Sequence, residues 1–138
     1  VAIEFTDTKN LKDKVGTPSM EIFKVFKFDA AHRLPNVGRE HKCSEIHGHS
    51  FRIEIHIKGP VEPAKGWVMD FAGIDQAVQP LLDQLDHKYL NDINGLSNPT
   101  SELVARWIWE RLCKKLPQLD KIIVQESPDS GCVYRGEG

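Results

Sequence analysis

His47 and His49 stand two residues apart in Cys43-Ser44-Glu45-Ile46-His47-Gly48-His49, and a third histidine, His32, lies upstream in Asp29-Ala30-Ala31-His32-Arg33. Side chains at i and i+2 of a strand point to the same face. Two imidazoles on one face, joined by a third from a neighbouring segment, supply three corners of a tetrahedron. Zinc held by three protein ligands keeps a fourth position open, and such sites are as a rule catalytic rather than structural. Cys43, four residues before His47, puts a potential thiolate beside that ion. Its sulfur could serve as an acid–base group or close a structural site as a fourth ligand. The residue types point to metal-centred proton chemistry with a cysteine acid–base.

The elements that must position these residues follow from periodicity. Glu21 to Phe28 alternates, with Ile22, Lys24, Phe26 and Phe28 on one face, and reads as a first strand. His47 to Lys58 reads as a second, with Phe51, Ile53, Ile55 and Ile57 on the face that also carries His47 and His49 if no bulge intervenes. Arg52, Glu54, His56 and Lys58 share the other face, so His56 is expected to be solvated and without a role. Asp70 is placed to cap a helix carrying Phe71, Ile74, Val78, Leu81 and Leu85, inside which Pro80 removes one backbone donor. Asp86 and His87 follow its end. Asn98-Pro99-Thr100 opens a second helix with Leu103, Val104, Trp107, Ile108 and Leu112, capped by Asn98 or Thr100. Lys121 to Glu126 and Cys132 to Arg135 read as two more strands. The order ββααββ predicts an α+β fold, a four-stranded antiparallel sheet with both helices on one face.

The whole chain sets outer bounds. Its 138 residues suffice for one domain with a substantial core, and a net charge of −2 argues against a nucleic-acid-binding surface. No apolar run is long enough to cross a membrane, and no basic segment followed by an apolar stretch marks a signal peptide. Cys43, Cys113 and Cys132 are odd in number and widely spaced, which fits a reducing cytoplasm rather than a disulfide framework. Residues 1–19 are polar and aperiodic. They read as an N-terminal extension, left by expression or by an upstream start ahead of Met20, with a short edge strand from Ala2 to Phe5 as the alternative. Residues 20–138 then form a single domain. No Gly-x-x-x-x-Gly-Lys loop is present, which excludes a P-loop nucleotide triphosphatase.

The set Phe28-Asp29-Ala30-Ala31-His32, Cys43-x3-His47-Gly48-His49, Leu85-Asp86-His87, Asn98-Pro99-Thr100-Ser101-Glu102 and Glu126 resembles the 6-pyruvoyl-tetrahydropterin synthase family, over roughly residues 20–138. The resemblance implies the tunnelling fold, in which subunits close their sheets into a barrel. It also implies homohexamers built as dimers of trimers, with active sites at subunit boundaries. It makes His32, His47 and His49 ligands of Zn2+, and Cys43, Asp86, His87 and Glu126 catalytic. Glu126 would also hold the pterin ring, with the hydroxyls of Thr100 and Ser101 nearby. Within the family, the Cys-x3-His spacing and the ending Ser130-Gly131-Cys132-Val133-Tyr134-Arg135-Gly136-Glu137 resemble the bacterial branch that forms 6-carboxy-tetrahydropterin for queuosine. The substrate implied is 7,8-dihydroneopterin triphosphate, with acetaldehyde and triphosphate released. The alternatives are the pyruvoyl branch, which stops before carbon–carbon cleavage, a plain zinc hydrolase, and a binding module with structural zinc. Arg33, Arg39, Lys42 and Arg135 are the candidate cations for triphosphate. Plainer roles stand beside these: Thr100 and Ser101 as helix caps, His87 at a helix dipole, Glu126 as a strand-end carboxylate reaching solvent.

Overall fold

The computed structural model describes residues 17–138, so the expected extension and the Ala2–Phe5 strand lie almost wholly outside the described residues. Strand β1 (Ser19–His32) and strand β2 (His47–Pro60) pair antiparallel along their full lengths. Helix α1 (Phe71–Leu85) follows, then a two-residue strand β3 (Lys88–Tyr89), helix α2 (Ser101–Leu112), β4 (Leu119–Ser127) and β5 (Ser130–Tyr134).

The sheet has five strands in the order β3-β1-β2-β4-β5. This corrects the four-stranded antiparallel expectation: β3 pairs parallel with Ala30 and Ala31 of β1, making the sheet mixed. Two residues are too short to show a period, so no pattern in the sequence marks β3. Strand β1 also runs past Phe28 to His32, and this extension sets His32 directly opposite His47, and Ala30 opposite His49.

Alternation sorts the side chains. Phe28 and Ala30 of β1, Phe51, Ile53, Ile55 and Ile57 of β2, and Ile122 and Val124 of β4 form one core with Ile74, Val78, Leu81 and Leu85 of α1 and Val104, Trp107, Ile108 and Leu112 of α2. Each fully buried isoleucine contributes about 1.5–3 kcal/mol. Both helices therefore lie on one face of the sheet, as their apolar spacing requires. Asp70 caps α1 by accepting from the Ala72 N–H, and Thr100, rather than Asn98, caps α2 by accepting from Leu103 N–H.

His56 departs from expectation. It is buried, not solvated: its cross-strand partner Phe23 stacks over it (ring centroids 5.0 Å apart), and its Nε2 lies 2.8 Å from Glu54 Oε1. A large aromatic opposite a polar residue covers it even on a nominally polar face. Glu54 also accepts from Arg52, which bonds Gln125 on β4 at 3.0 Å.

Candidate active site

The ladder between β1 and β2 assembles the imidazoles. His32 and His47 are cross-strand partners, His49 is two residues along, and no bulge interrupts β2 between them. Ring centroids are 4.6 Å apart for His32–His47, 5.1 Å for His32–His49 and 4.8 Å for His47–His49. One ligand atom from each lies within 4.8 Å of the others. Phe51 stands edge-on to His32 and His49, giving the cluster an apolar floor.

The outer nitrogens fix how the rings point. His32 Nδ1 is 2.8 Å from the Pro99 carbonyl, and His47 Nδ1 is 2.8 Å from the Glu45 carbonyl. Carbonyls only accept, so each Nδ1 donates and each Nε2 keeps a lone pair. The Nε2 atoms of His32, His47 and His49 are all buried without a hydrogen-bond partner. Two orphaned buried acceptors, with the Nε2 of His49 beside them, are costly on one centre unless a cation takes them, so the residues fit a metal ion with imidazole preference such as zinc. Burial pushes the His32 imidazole below the ordinary histidine value, with Pro99 and Glu126 pulling the other way. The neutral form that a metal requires is thereby favoured.

Glu126 borders the cluster. Ser101 Oγ donates to its Oε1 at 2.8 Å, and its Oε2 is 3.4 Å from His49 Nε2, poorly aligned for a hydrogen bond. The β4–β5 pairing shifts register between Val124 and Ser127, so Glu126 sits in an irregular stretch rather than a regular rung. A cavity of about 190 Å³ lies beside it, lined by Ser101, Glu102, Glu126, Ser130, Gly131 and Cys132. A Cβ at Gly131 would approach the Val124 carbonyl to 2.9 Å, so glycine is what lets β5 bring Cys132 here. Burial, then Glu102 and Glu126, push the Cys132 thiol up, keeping it protonated.

Cys43 sits in a single 3-10 turn, Lys42–Ser44, half-buried, with its N–H donating to His41 Nδ1 at 3.0 Å and its carbonyl accepting from Leu34 at 2.7 Å. It is not in the three-histidine group, so the fourth-ligand reading has no support here. Arg33 and Arg39 line one cleft of about 680 Å³ with Ser44 and Ile46, flanking the segments that carry His32, Cys43 and His47. Lys42 and Arg135 do not line it.

Asp86 ends α1, and His87 Nδ1 is 3.0 Å from Asp86 Oδ2. The Asp29 N–H, first, and His87, second, hold the Asp86 carboxyl below its ordinary value. An open cleft of about 620 Å³ is lined by Asp29, His49, Ser50, His87, Lys88 and Tyr89 among others, so His87 and His49 both border it. No motif in the sequence gives Asp29, Ser50, Glu102 or Cys132 a role; strand alternation does place Asp29 on the face opposite His32, where it meets Ser50.

A family model described as 6-pyruvoyl tetrahydropterin synthase matches residues 21–137. A Synechocystis protein named 6-carboxy-5,6,7,8-tetrahydropterin synthase is 40% identical over 119 residues, covering 82% of this chain and 91% of that one. A Pyrococcus furiosus protein named dihydroneopterin monophosphate aldolase is 41% identical over 90 residues, covering 65% of this chain and 72% of that one. The solved 6-pyruvoyl tetrahydropterin synthase of Caenorhabditis elegans superposes with a TM-score of 0.81 at 29% identity, covering 87% of this chain and 97% of that one.

Proposed function

The chain belongs to the 6-pyruvoyl tetrahydropterin synthase family, and on that premise we propose that it is a zinc-dependent 6-carboxy-5,6,7,8-tetrahydropterin synthase, a lyase acting on 7,8-dihydroneopterin triphosphate. The observation that carries this reading is the convergence of three buried Nε2 atoms that make no hydrogen bond, in a chain 40% identical to a protein of that name. Residues 20–138 form the synthase domain. The reading includes assembly as a homohexamer, a cytoplasmic location and a place in queuosine biosynthesis.

His32, His47 and His49 would hold the ion. When bound, zinc polarises oxygens on the substrate side chain and makes adjoining C–H protons removable. Cys43, as thiolate, takes a proton from the side chain. His87, oriented by Asp86, returns a proton or accepts one. Glu126 binds the pterin amino group and ring N–H, while Ser101 holds its carboxylate and Thr100 lies beside it. The Arg33–Arg39 cleft takes the triphosphate. For the atoms to balance, the products are 6-carboxy-tetrahydropterin, acetaldehyde and triphosphate, with one water taken up.

The test is incubation of purified, zinc-loaded protein with dihydroneopterin triphosphate and mass-spectrometric identification of every product. Acetaldehyde with a carboxypterin supports the proposal. A pyruvoyl product moves the chain to the other branch, to which the Caenorhabditis elegans likeness lends weight. The relative named an aldolase favours a second reading, with a monophosphate ester as substrate; a parallel incubation with dihydroneopterin monophosphate tests it. No consumption of either substrate leaves a structural-zinc module.

A further inference from the structure

His87 has φ of 60°, the only positive value for a non-glycine residue among the described residues. That left-handed conformation is strained and persists only where the surroundings over-determine it. The backbone of Asp29 supplies the restraint from both sides. Its N–H donates to Asp86 Oδ1 at 2.9 Å, and its carbonyl accepts the His87 N–H at 2.6 Å. The Asp29 side chain is engaged as well: Ser50 Oγ donates to Asp29 Oδ1 at 2.5 Å. One carboxylate oxygen of Asp29, one of Asp86 and a ring nitrogen of His87 all lie within 4.8 Å of one another. His87 thus has two carboxylates within 4.8 Å, and the sequence motif Leu85-Asp86-His87 accounts for only one.

We propose that Asp29 is a positioning residue for His87: its carboxylate, held by Ser50, is a second anion beside the imidazole that fixes the ring. The proposal deepens the reading of His87 as an acid–base group and rests on it. Ser50 follows His49 in β2, and Asp29 is its cross-strand partner, so the ladder that builds the histidine cluster also sets this second carboxylate. The charged and titratable groups around His87 are Asp86 and Lys88 beside it in sequence, Asp29 from β1, His49 from β2, and Tyr89. Asp29 and Asp86 are the anions among them. Because the His87 side chain is 77% exposed, solvent screens the interaction and the expected effects are modest.

The test uses Asp29→Asn, which keeps both backbone bonds and removes the charge, and Ser50→Ala, which removes only the hydroxyl that orients the carboxylate. NMR follows the His87 ring resonances at fixed pH, without turnover. They should shift in Asp29→Asn, and by less in Ser50→Ala, as the ring loses its fixed orientation. In kinetics, kcat near neutral pH should fall about 3- to 10-fold in Asp29→Asn, with KM within about twofold. Asp29→Glu should recover part of the loss. In a His87→Asn background, Asp29→Asn should have no further effect. Unchanged His87 ring resonances in Asp29→Asn, or an equal loss of rate with and without His87, overturns the proposal. Wild-type protein that consumes no pterin ester would instead sink the reading of function, while the NMR arm still decides the role of Asp29.

Discussion

Three Nε2 atoms without a hydrogen bond on one centre would make a bound ion a folding ligand, with an effect of measurable size. In the metal-free chain each buried nitrogen forgoes bonds to water, at about 1–3 kcal/mol per group, in rings already 4.6 to 5.1 Å apart. An ion that binds only the folded chain adds about 4.1 kcal/mol when its free concentration is 1,000-fold above the dissociation constant. A domain of this length gains roughly 3–4 °C per kcal/mol, so the melting temperature should rise by about 12–16 °C between EDTA and buffered zinc. Scanning calorimetry reads this directly. His49→Ala removes one ligand and should abolish most of the increment. His87→Ala should keep it, because that ring is exposed and outside the trio. An increment equal in wild type and His49→Ala refutes the reasoning. So does an increment lost in His87→Ala, which would put the ion on the group formed by Asp29, Asp86 and His87.

The other groups give independent expectations. Cys43→Ala should lower turnover at least about 100-fold while zinc content, by inductively coupled plasma mass spectrometry, stays at the wild-type value; a plain zinc hydrolase predicts near-normal turnover. Glu126→Gln keeps the Ser101 contact but loses the anion, and kcat/KM should fall about 10- to 100-fold, the scale of a charge-assisted hydrogen bond. His56, then Arg52, hold the Glu54 carboxyl below the usual glutamate range. A depressed folded-state value stabilises the fold above the unfolded value and is lost as pH falls through the folded one. Wild type should therefore exceed Glu54→Gln in urea stability at neutral pH, and the gap should close below about pH 4; a gap independent of pH contradicts the assignment.

Much of this site was legible because its parts obey short-range rules. The i, i+2 spacing of His47 and His49 needs only an unbroken strand, and the apolar run Phe51, Ile53, Ile55, Ile57 declares which face is buried. The likeness to a tetrahydropterin synthase, and to its carboxy-forming branch, rested on ordered motifs and is matched by the relatives. What escaped depends on non-local pairing. Strand β3 is two residues held by the edge of β1, and its existence is a tertiary fact. His56 looked solvated because alternation assigns a face without saying what lies across from it; Phe23 does, from 33 residues earlier in the chain. Asp29 lies inside the motif Phe28-Asp29-Ala30-Ala31-His32, but its partners Ser50, Asp86 and His87 come together only when β1, β2 and the end of α1 meet.

X-ray absorption at the zinc edge of the loaded protein tests the central claim most directly. The account predicts three imidazole nitrogens at about 2.0–2.1 Å with an exchangeable light-atom ligand in the fourth position. A sulfur scatterer near about 2.3 Å that Cys43→Ala removes, or fewer than three imidazoles, would contradict it.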